Sequence, residues 1–310
     1  MQTRSSYSFG AGALLLAVIC WGMAPVATRY LLSHLTPLQL ILVRFTISSL
    51  LLLPTLLQLR NQHWSRRDIG LAILCGLLNS IGYNLIVAFG LNFIPASLAG
   101  ILIATEPIWI LLLSMRLTHE RPHWSVWLGL ALAAIGIGVG ALMGDTTGIS
   151  FTTTQLLGAG LTLLAAFMWS AYTILVRPLT TKYGARNCTG LTTLIGTLPL
   201  LVFYTPQLAS HLLLFNAFGW LALLLLTVGS TVIATILWNY GVASMPGSQA
   251  GLFLYLVPLV SVAGGSLFLH EAITSGLLLS GVLILLGVCI AQTRQFRAQY
   301  TQHEPPLKRT

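Results

Sequence analysis

The chain has 310 residues, of which 56% are hydrophobic and only 7% are Asp, Glu, Lys or Arg. Soluble domains carry roughly 25% charged residues, so this sequence cannot cover a water-facing surface of ordinary size. Its net charge of +9 would suggest nucleic-acid binding in a soluble protein, but the basic residues lie between apolar runs, where they orient a membrane protein instead. Runs such as Leu221–Leu226 and Leu277–Leu286 lack the alternation of barrel strands. In hydrocarbon the remaining solution is helical, so an all-α integral membrane protein is expected.

Ten transmembrane helices are expected, each of about 20 residues. In chain order they lie near Phe9–Leu31, Pro37–Leu59, Asp68–Gly90, Ala96–Met115, Trp124–Met143, Leu156–Val176, Arg186–Tyr204, Phe215–Gly241, Ser248–Phe268 and Ile273–Ala291. The breaks between them carry turn chemistry: Thr36-Pro37, Ile94-Pro95, Arg121-Pro122, Gly144-Asp145, Arg177-Pro178 and Met245-Pro246. The first run is too long for a signal-peptide core and is expected to stay attached. Residues 294–310 form a basic, hydrophilic tail with a Pro-Pro pair.

Lysine and arginine set the orientation. Thirteen of the 15 fall before the first span or after the second, fourth, sixth and tenth, which is one side of the membrane. Arg29 and Arg44, near or within spans, complete the set. The basic side faces the cytoplasm, placing both termini there. Cys20, Cys75, Cys188 and Cys289 are scattered without CxxC spacing, so neither disulfides nor metal binding is expected.

An internal repeat is the most specific signal. At a shift of 148, Gly10-Ala11-Gly12 meets Gly158-Ala159-Gly160, Trp21 meets Trp169, and Arg29 meets Arg177. At a shift of 151, Gly90 meets Gly241, Pro95 meets Pro246, Pro107 meets Pro258, and His119-Glu120 meets His270-Glu271. The expected units are residues 1–146 and 147–293, followed by the tail. Five spans per unit is an odd number, so two inverted five-helix repeats are expected. Such halves can exchange conformations about an axis in the membrane plane, opening a midplane site to either side.

These residues carry a family resemblance. Trp21-Gly22, the Pro95–Gly100 segment leading to Pro107, Leu117–Glu120, and their copies Trp169-Ser170, Pro246–Gly251, Pro258 and Leu269–Glu271 resemble the EamA-like branch of the drug/metabolite transporter superfamily. The resemblance covers roughly residues 9 to 292. It implies a ten-helix inner-membrane carrier, often an exporter of amino acids or related metabolites. Two departures stand out: His-Glu replaces the more usual Gly-Glu, and only the first half has a Glu before its fourth-span proline.

Polar residues within spans are the candidate site. Arg44 lies about 10 Å below the outer surface by helical rise, where an arginine costs upwards of about 2.5 kcal/mol and needs a partner or a wet cavity. Its guanidinium would meet a substrate carboxylate or Glu106; snorkelling or bonding to helix carbonyls is the alternative. Glu106 lies about 16 Å past Pro95, near the midplane, and suits a proton relay or an amine-binding site. A structural bond to a neighbouring helix is its alternative. Pro107 leaves a carbonyl without its donor and would open polar backbone to the cavity. Asn79 and Tyr83, four apart, share a helical face, as do Trp169 and Tyr172, three apart. Trp109 is one turn from Glu106, and Trp21 is near the midplane. Packing explains any one aromatic; together they would wall an apolar cleft.

Two motif matches mislead. His119-Glu120-Arg121-Pro122-His123 fits the HExxH zinc signature, but Pro122 breaks the helix that would align the histidines. Asn187-Cys188-Thr189 fits a glycosylation sequon on the cytoplasmic side. The Gly136–Gly140 spacing permits close helix contact, including with a second protomer as a homodimer. The expected function is secondary transport of a small-molecule substrate by alternating access in a lipid bilayer, without nucleotide, metal or cofactor. A membrane enzyme acting on lipid-linked substrates is the alternative; it would need clustered acids, His or a nucleophile at one face.

Overall fold

Apolar runs can satisfy their backbone in hydrocarbon only as helices, and among the described residues the chain is helical with no strand. The computed structural model describes residues 4–32, 34–59, 62–91, 93, 102–143, 153–206, 208, 212–213, 215–269, 278–279, 281–287 and 289–290. The expected Ile94–Gly100 segment, the Gly144-Asp145 turn and the His270-Glu271 pair lie outside them.

The first half runs through α1 (Arg4–Leu31), α2 (Pro37–Leu52), α3 (Pro54–Leu59) and α4 (Arg66–Leu77). A π-helical segment, Leu78–Leu85, follows and continues into α5 (Ile86–Leu91). After the undescribed stretch come α6 (Glu106–Leu117) and α7 (Trp124–Met143). The second half comprises α8 (Thr153–Leu175), α9 (Arg177–Tyr183), α10 (Ala185–Thr197) with a 3-10 turn Leu198–Phe203, and α11 (Ala217–Leu224). A second π segment, Leu225–Ile233, leads into α12 (Ala234–Ser244). Then α13 (Gly247–Leu252), a 3-10 turn Phe253–Tyr255 and α14 (Leu256–Leu269) complete the described long elements.

Local chemistry accounts for the starts. Thr36 and Ser65 form capping boxes with Gln39 and Asp68, satisfying the first free N–H groups of α2 and α4. Asn216 caps α11 through the Gly219 N–H at 2.8 Å. Proline decides several breaks. The second span divides at Leu53 because Pro54 has no N–H to donate. The expected break at Arg177-Pro178 is instead a single residue, Val176, because a proline in the first turn of α9 is compatible with helix. Pro107 likewise sits in the first turn of α6. The chain breaks before it, at Ala104-Thr105, rather than kinking through it.

Four helical stretches are long and apolar enough to cross a membrane: Tyr7–Ala24, Arg66–Gly90, Thr153–Tyr183 and Ala217–Ser244. Pro37–Leu52, Trp124–Gly136 and Gly247–Val260 are shorter apolar helices. Their outer faces leave Leu50, Leu128, Leu156 and Leu221 exposed, an apolar surface suited to lipid and not to water.

Glycines let the helices approach closely, and their neighbours fix directions. A β-carbon on Gly241 of α12 would overlap Leu14 of α1 and stand 3.1 Å from the Gly10 carbonyl. Trp21, further along α1, reaches back to Ser230, so α1 and α12 run antiparallel. One on Gly90 of α5 would stand 3.2 Å from the Gly158 carbonyl of α8, while Gly82 faces Met168; these segments are antiparallel too. Along α6 and α8 the contacts rise together, Glu106 with Ser170 and Glu120 with Arg177, so these two are parallel. Gly251 of α13 faces Ile110 and Gly247 faces Ser114, so α13 opposes α6.

Candidate substrate site

The aromatic residues singled out from sequence converge from both halves. Trp21 of α1 meets Trp169 of α8 edge to face, with ring centroids 5.3 Å apart. Trp238 of α12 adds a third indole, 5.3 Å from Trp21. Tyr83, from the first π segment, lies 5.2 Å from Trp169. Edge-to-face and offset geometries at these separations are the favourable ones for aromatic rings.

The polar groups sit beside this cluster, where the π segments disturb the regular backbone. A π segment leaves the α-helical bonding pattern and frees positions for other partners. In the second one, the Ser230 carbonyl accepts the Trp21 indole N–H at 2.9 Å. The Ser230 hydroxyl accepts from Arg44 Nη2 at 3.0 Å, and the Thr231 hydroxyl accepts from Arg44 Nε. In the first one, the Asn79 carbonyl accepts from the Asn84 side chain at 2.8 Å. Asn79 and Tyr83 therefore stand on a π-helical turn and not on the continuous α-helix that their spacing suggested.

Glu106 is 4% exposed, yet its Oε1 has no hydrogen-bond partner among the described residues. Its carboxyl lies within reach of the Tyr83 hydroxyl, and Tyr83 also interacts with the Arg44 charge. Tyr83 is thus a neighbour of both ionisable groups, which form no ion pair with each other. Ser170 fixes the α6 entry by donating to the Glu106 carbonyl at 3.1 Å. Arg44, Tyr83 and Trp21 are each only half-buried, although all belong to interior helix faces. A buried carboxyl oxygen without a partner is costly unless something else meets it.

Of the other two expected aromatic residues, one stands apart and one backs the cluster. Trp109 donates to Thr105 at 3.2 Å and packs on Phe167 at 5.7 Å, one turn from Glu106 but away from the indole cluster. Tyr172 is fully buried with its ring centroid 5.2 Å from that of Trp169, and its hydroxyl is held by Asn239, which also donates to Thr189 at 2.9 Å. That network ties α8, α10 and α12 together beneath Trp169. Ser230, Thr231 and Trp238 were not anticipated. The repeat held a signal for two of them: Ser230 and Thr231 lie 148 positions after Gly82 and Tyr83.

A separate apolar cleft lined by Thr36, Pro37, Leu38, Leu85, Ala88 and Phe89 shares no residue with this cluster.

The sequence profile of the EamA-like transporter family matches residues 8–140 and again residues 156–293. The chain belongs to this family. As an EamA-like protein it is a multi-pass membrane transporter by family. It is similar to the uncharacterised transporter YdfC of Bacillus subtilis, at 30% identity over 88% of each chain. A probable terminal-alkyne amino-acid exporter of Streptantibioticus cattleyicolor is 28% identical, covering 91% of this chain and 93% of the relative. A probable amino-acid metabolite efflux pump of Escherichia coli is 25% identical, covering 89% and 92%. A solved crystal structure superposes with a TM-score of 0.76 over 96% of this chain and 99% of its own, at 21% identity. That last likeness concerns the fold alone.

Proposed function

We propose that this EamA-like protein is a secondary carrier that exports small metabolites, such as amino acids or related compounds, by alternating access between two inverted five-helix repeats. In this reading ten spans cross the inner membrane with both termini cytoplasmic, and the repeats are residues 1–146 and 147–293. Trp21, Arg44, Asn79, Tyr83, Glu106 and Trp169 line the substrate site, with Tyr172 and Trp109 supporting it.

The observation that carries the reading is the contact between Trp21 and Trp169. They are matching residues of the repeat, and matching residues touch only close to the axis that relates their halves. The helix directions support inversion. Trp21's neighbour Gly22 faces Val257 and Val260, and Ala17–Val18 belongs to one core with Phe253–Leu254, so α1 runs along α13 and α14. With α13 opposed to α6, and α6 parallel to α8, helix α1 opposes α8, its counterpart in the repeat. Both π segments also fall in the third described membrane helix of their half, ending 148 positions apart at Leu85 and Ile233.

The chemistry of the site suits an amphipathic solute. Arg44 offers a fork to a carboxylate, Glu106 offers an acceptor or a titratable proton, and indole faces receive an apolar body or a cation. Purified protein in sealed proteoliposomes is expected to move radiolabelled amino acids or related amines without ATP, driven by an imposed proton or solute gradient. Movement seen only with an ATPase partner would overturn the secondary-carrier reading.

A further inference from the structure

Outside the substrate cluster, one charged group is held more completely than any surface ion pair requires. The chain leaves α6 through His119, whose φ of 53° lies in the left-handed region that non-glycine residues seldom adopt. This turn projects Glu120 towards the second half. Glu120 Oε1 accepts from Arg177 Nη1 at 3.0 Å and from the Gly247 N–H at 2.9 Å, and Oε2 accepts from the Ser248 N–H at 3.2 Å. One carboxylate of the first half therefore holds the start of α9 and the start of α13. Its side chain is 14% exposed and that of Arg177 is 24% exposed, so solvent screens the pair less than an ordinary surface bridge. Burial alone acts to raise the Glu120 pKa. The Gly247 and Ser248 N–H groups, the Ser248 hydroxyl and the Arg177 charge outweigh it and hold the carboxyl below its ordinary range, so it is ionised at neutral pH.

The place of this knot matters. Glu106 begins α6 and Glu120 follows its other end, so one helix joins the buried carboxyl of Glu106 to the knot. A second tie lies nearby in the chain: Asp68 accepts from Lys182 at 2.6 Å and from the Tyr183 hydroxyl at 2.7 Å, with Trp64 stacked on Tyr183 at 3.8 Å. It also joins the halves, but Lys182 is 53% exposed, which makes it the weaker of the two.

We propose that Glu120 is the inner latch of the transport cycle, a first-half carboxylate that closes the cytoplasmic side by gripping Arg177 and the Gly247-Ser248 backbone of the second half. It releases them when the site opens to the cytoplasm. The proposal rests on the alternating-access reading given above. Glu120 is a positioning residue; it acts by setting the balance of conformations and does not touch the solute.

The test uses full-length protein lacking Cys20, Cys75, Cys188 and Cys289, with a single reporter, Ala250→Cys. Ala250 is fully buried, three residues into α13 from Gly247. In inside-out vesicles, a maleimide is expected to label this cysteine slowly while the latch is intact. Glu120→Gln removes the charge and is expected to raise the rate about tenfold, as a shift in the closed population would. Arg177→Gln is expected to raise it less, because the two backbone donors remain, and Asp68→Asn least. A second reporter, Ala88→Cys in the outer cleft, labelled from the other side, must not rise. A rise from both sides would mark Glu120 as a packing residue and overturn the proposal, as would unchanged rates in both Glu120→Gln and Arg177→Gln. If Glu120→Gln elutes as aggregate, Glu120→Asp and Arg177→Gln carry the same comparison. Solute movement is measured in parallel. Intact transport with indifferent labelling removes the latch alone, whereas a responsive latch in a protein that moves no solute removes the carrier reading.

Discussion

Two corners of the molecule occupy matching places in the sequence repeat and differ in chemistry. In one, Ser170 of α8 donates to the backbone carbonyl of Glu106 at 3.1 Å. In the other, Gly22 of α1 lies against the backbone carbonyl of Val257, 3.1 Å from where its β-carbon would stand, and is pressed against Val260. The pairs correspond at shifts of 148 and 151. The backbone approach is nearly the same, but one corner carries a carboxyl and a hydroxyl and the other only hydrocarbon. The same holds for the π segments, where Tyr83 stands in register with Thr231, and for Arg44, in register with Thr192. At these positions the duplication supplies the helix packing, and the polar groups arise where the copies diverge.

That contrast can be broken at its polar corner first. Glu106→Gln keeps the size and hydrogen bonding of the side chain but removes its proton, and is expected to lower coupled transport by about two orders of magnitude, the scale of losing a positioned proton-transfer group. Insertion and elution should stay normal. Proteoliposome uptake measured against pH checks this, since a wild-type rate with unchanged pH dependence would reduce Glu106 to packing. The apolar corner should respond through stability instead. Gly22→Ser forces a side chain into Val260 and is expected to cost about 1–3 kcal/mol by overpacking. The reciprocal Ser170→Gly loses a hydroxyl shared between the carbonyls of Glu106 and Ala166, about 1 kcal/mol. Thermal unfolding in detergent followed by tryptophan fluorescence ranks the pair, and a Ser170→Gly protein less stable than Gly22→Ser would contradict the contrast drawn between these corners.

The smallest expected effect sharpens the role of Arg44. Arg44→Lys keeps the charge but cannot reach both Ser230 and Thr231 with a planar fork. A severalfold weakening is expected for a carboxylate-bearing solute, about 1 kcal/mol, and less for a neutral amine. Competition against transport of one labelled solute measures both. Equal losses for the two solutes would assign Arg44 to helix tying.

Much of the scaffold was legible in the chain. Polar and proline-bearing breaks separated the apolar runs because helix ends need caps and proline cannot donate, and the starts at Pro37, Trp124 and Gly247 fall within a residue of expectation. Trp21 and Trp169 were conspicuous because chance seldom repeats tryptophan in register. The partners of Arg44 were not legible. Ser230 and Thr231 resemble any small polar residues in an apolar helix, and nothing local announces that a π turn will aim them at an arginine 186 and 187 positions away. The His119-Glu120 pair looked like a metal motif or a family mark, and its actual hold on Arg177 and two N–H groups depends on elements from the other half.

By itself the sequence determined that this protein lives in lipid, that its backbone is helical, and that one set of positions recurs in two halves, because composition and periodicity are properties of the chain alone. Tertiary structure decided which copy of each position bears the chemistry in contact with which other. It made Tyr83 a neighbour of both Arg44 and Glu106, left Glu106 Oε1 without a partner among the described residues, and closed Glu120 on the second half. The physical reason is that buried polar groups are satisfied by whatever donor or acceptor the packing brings within about 3 Å. That distance is set by how the helices cross.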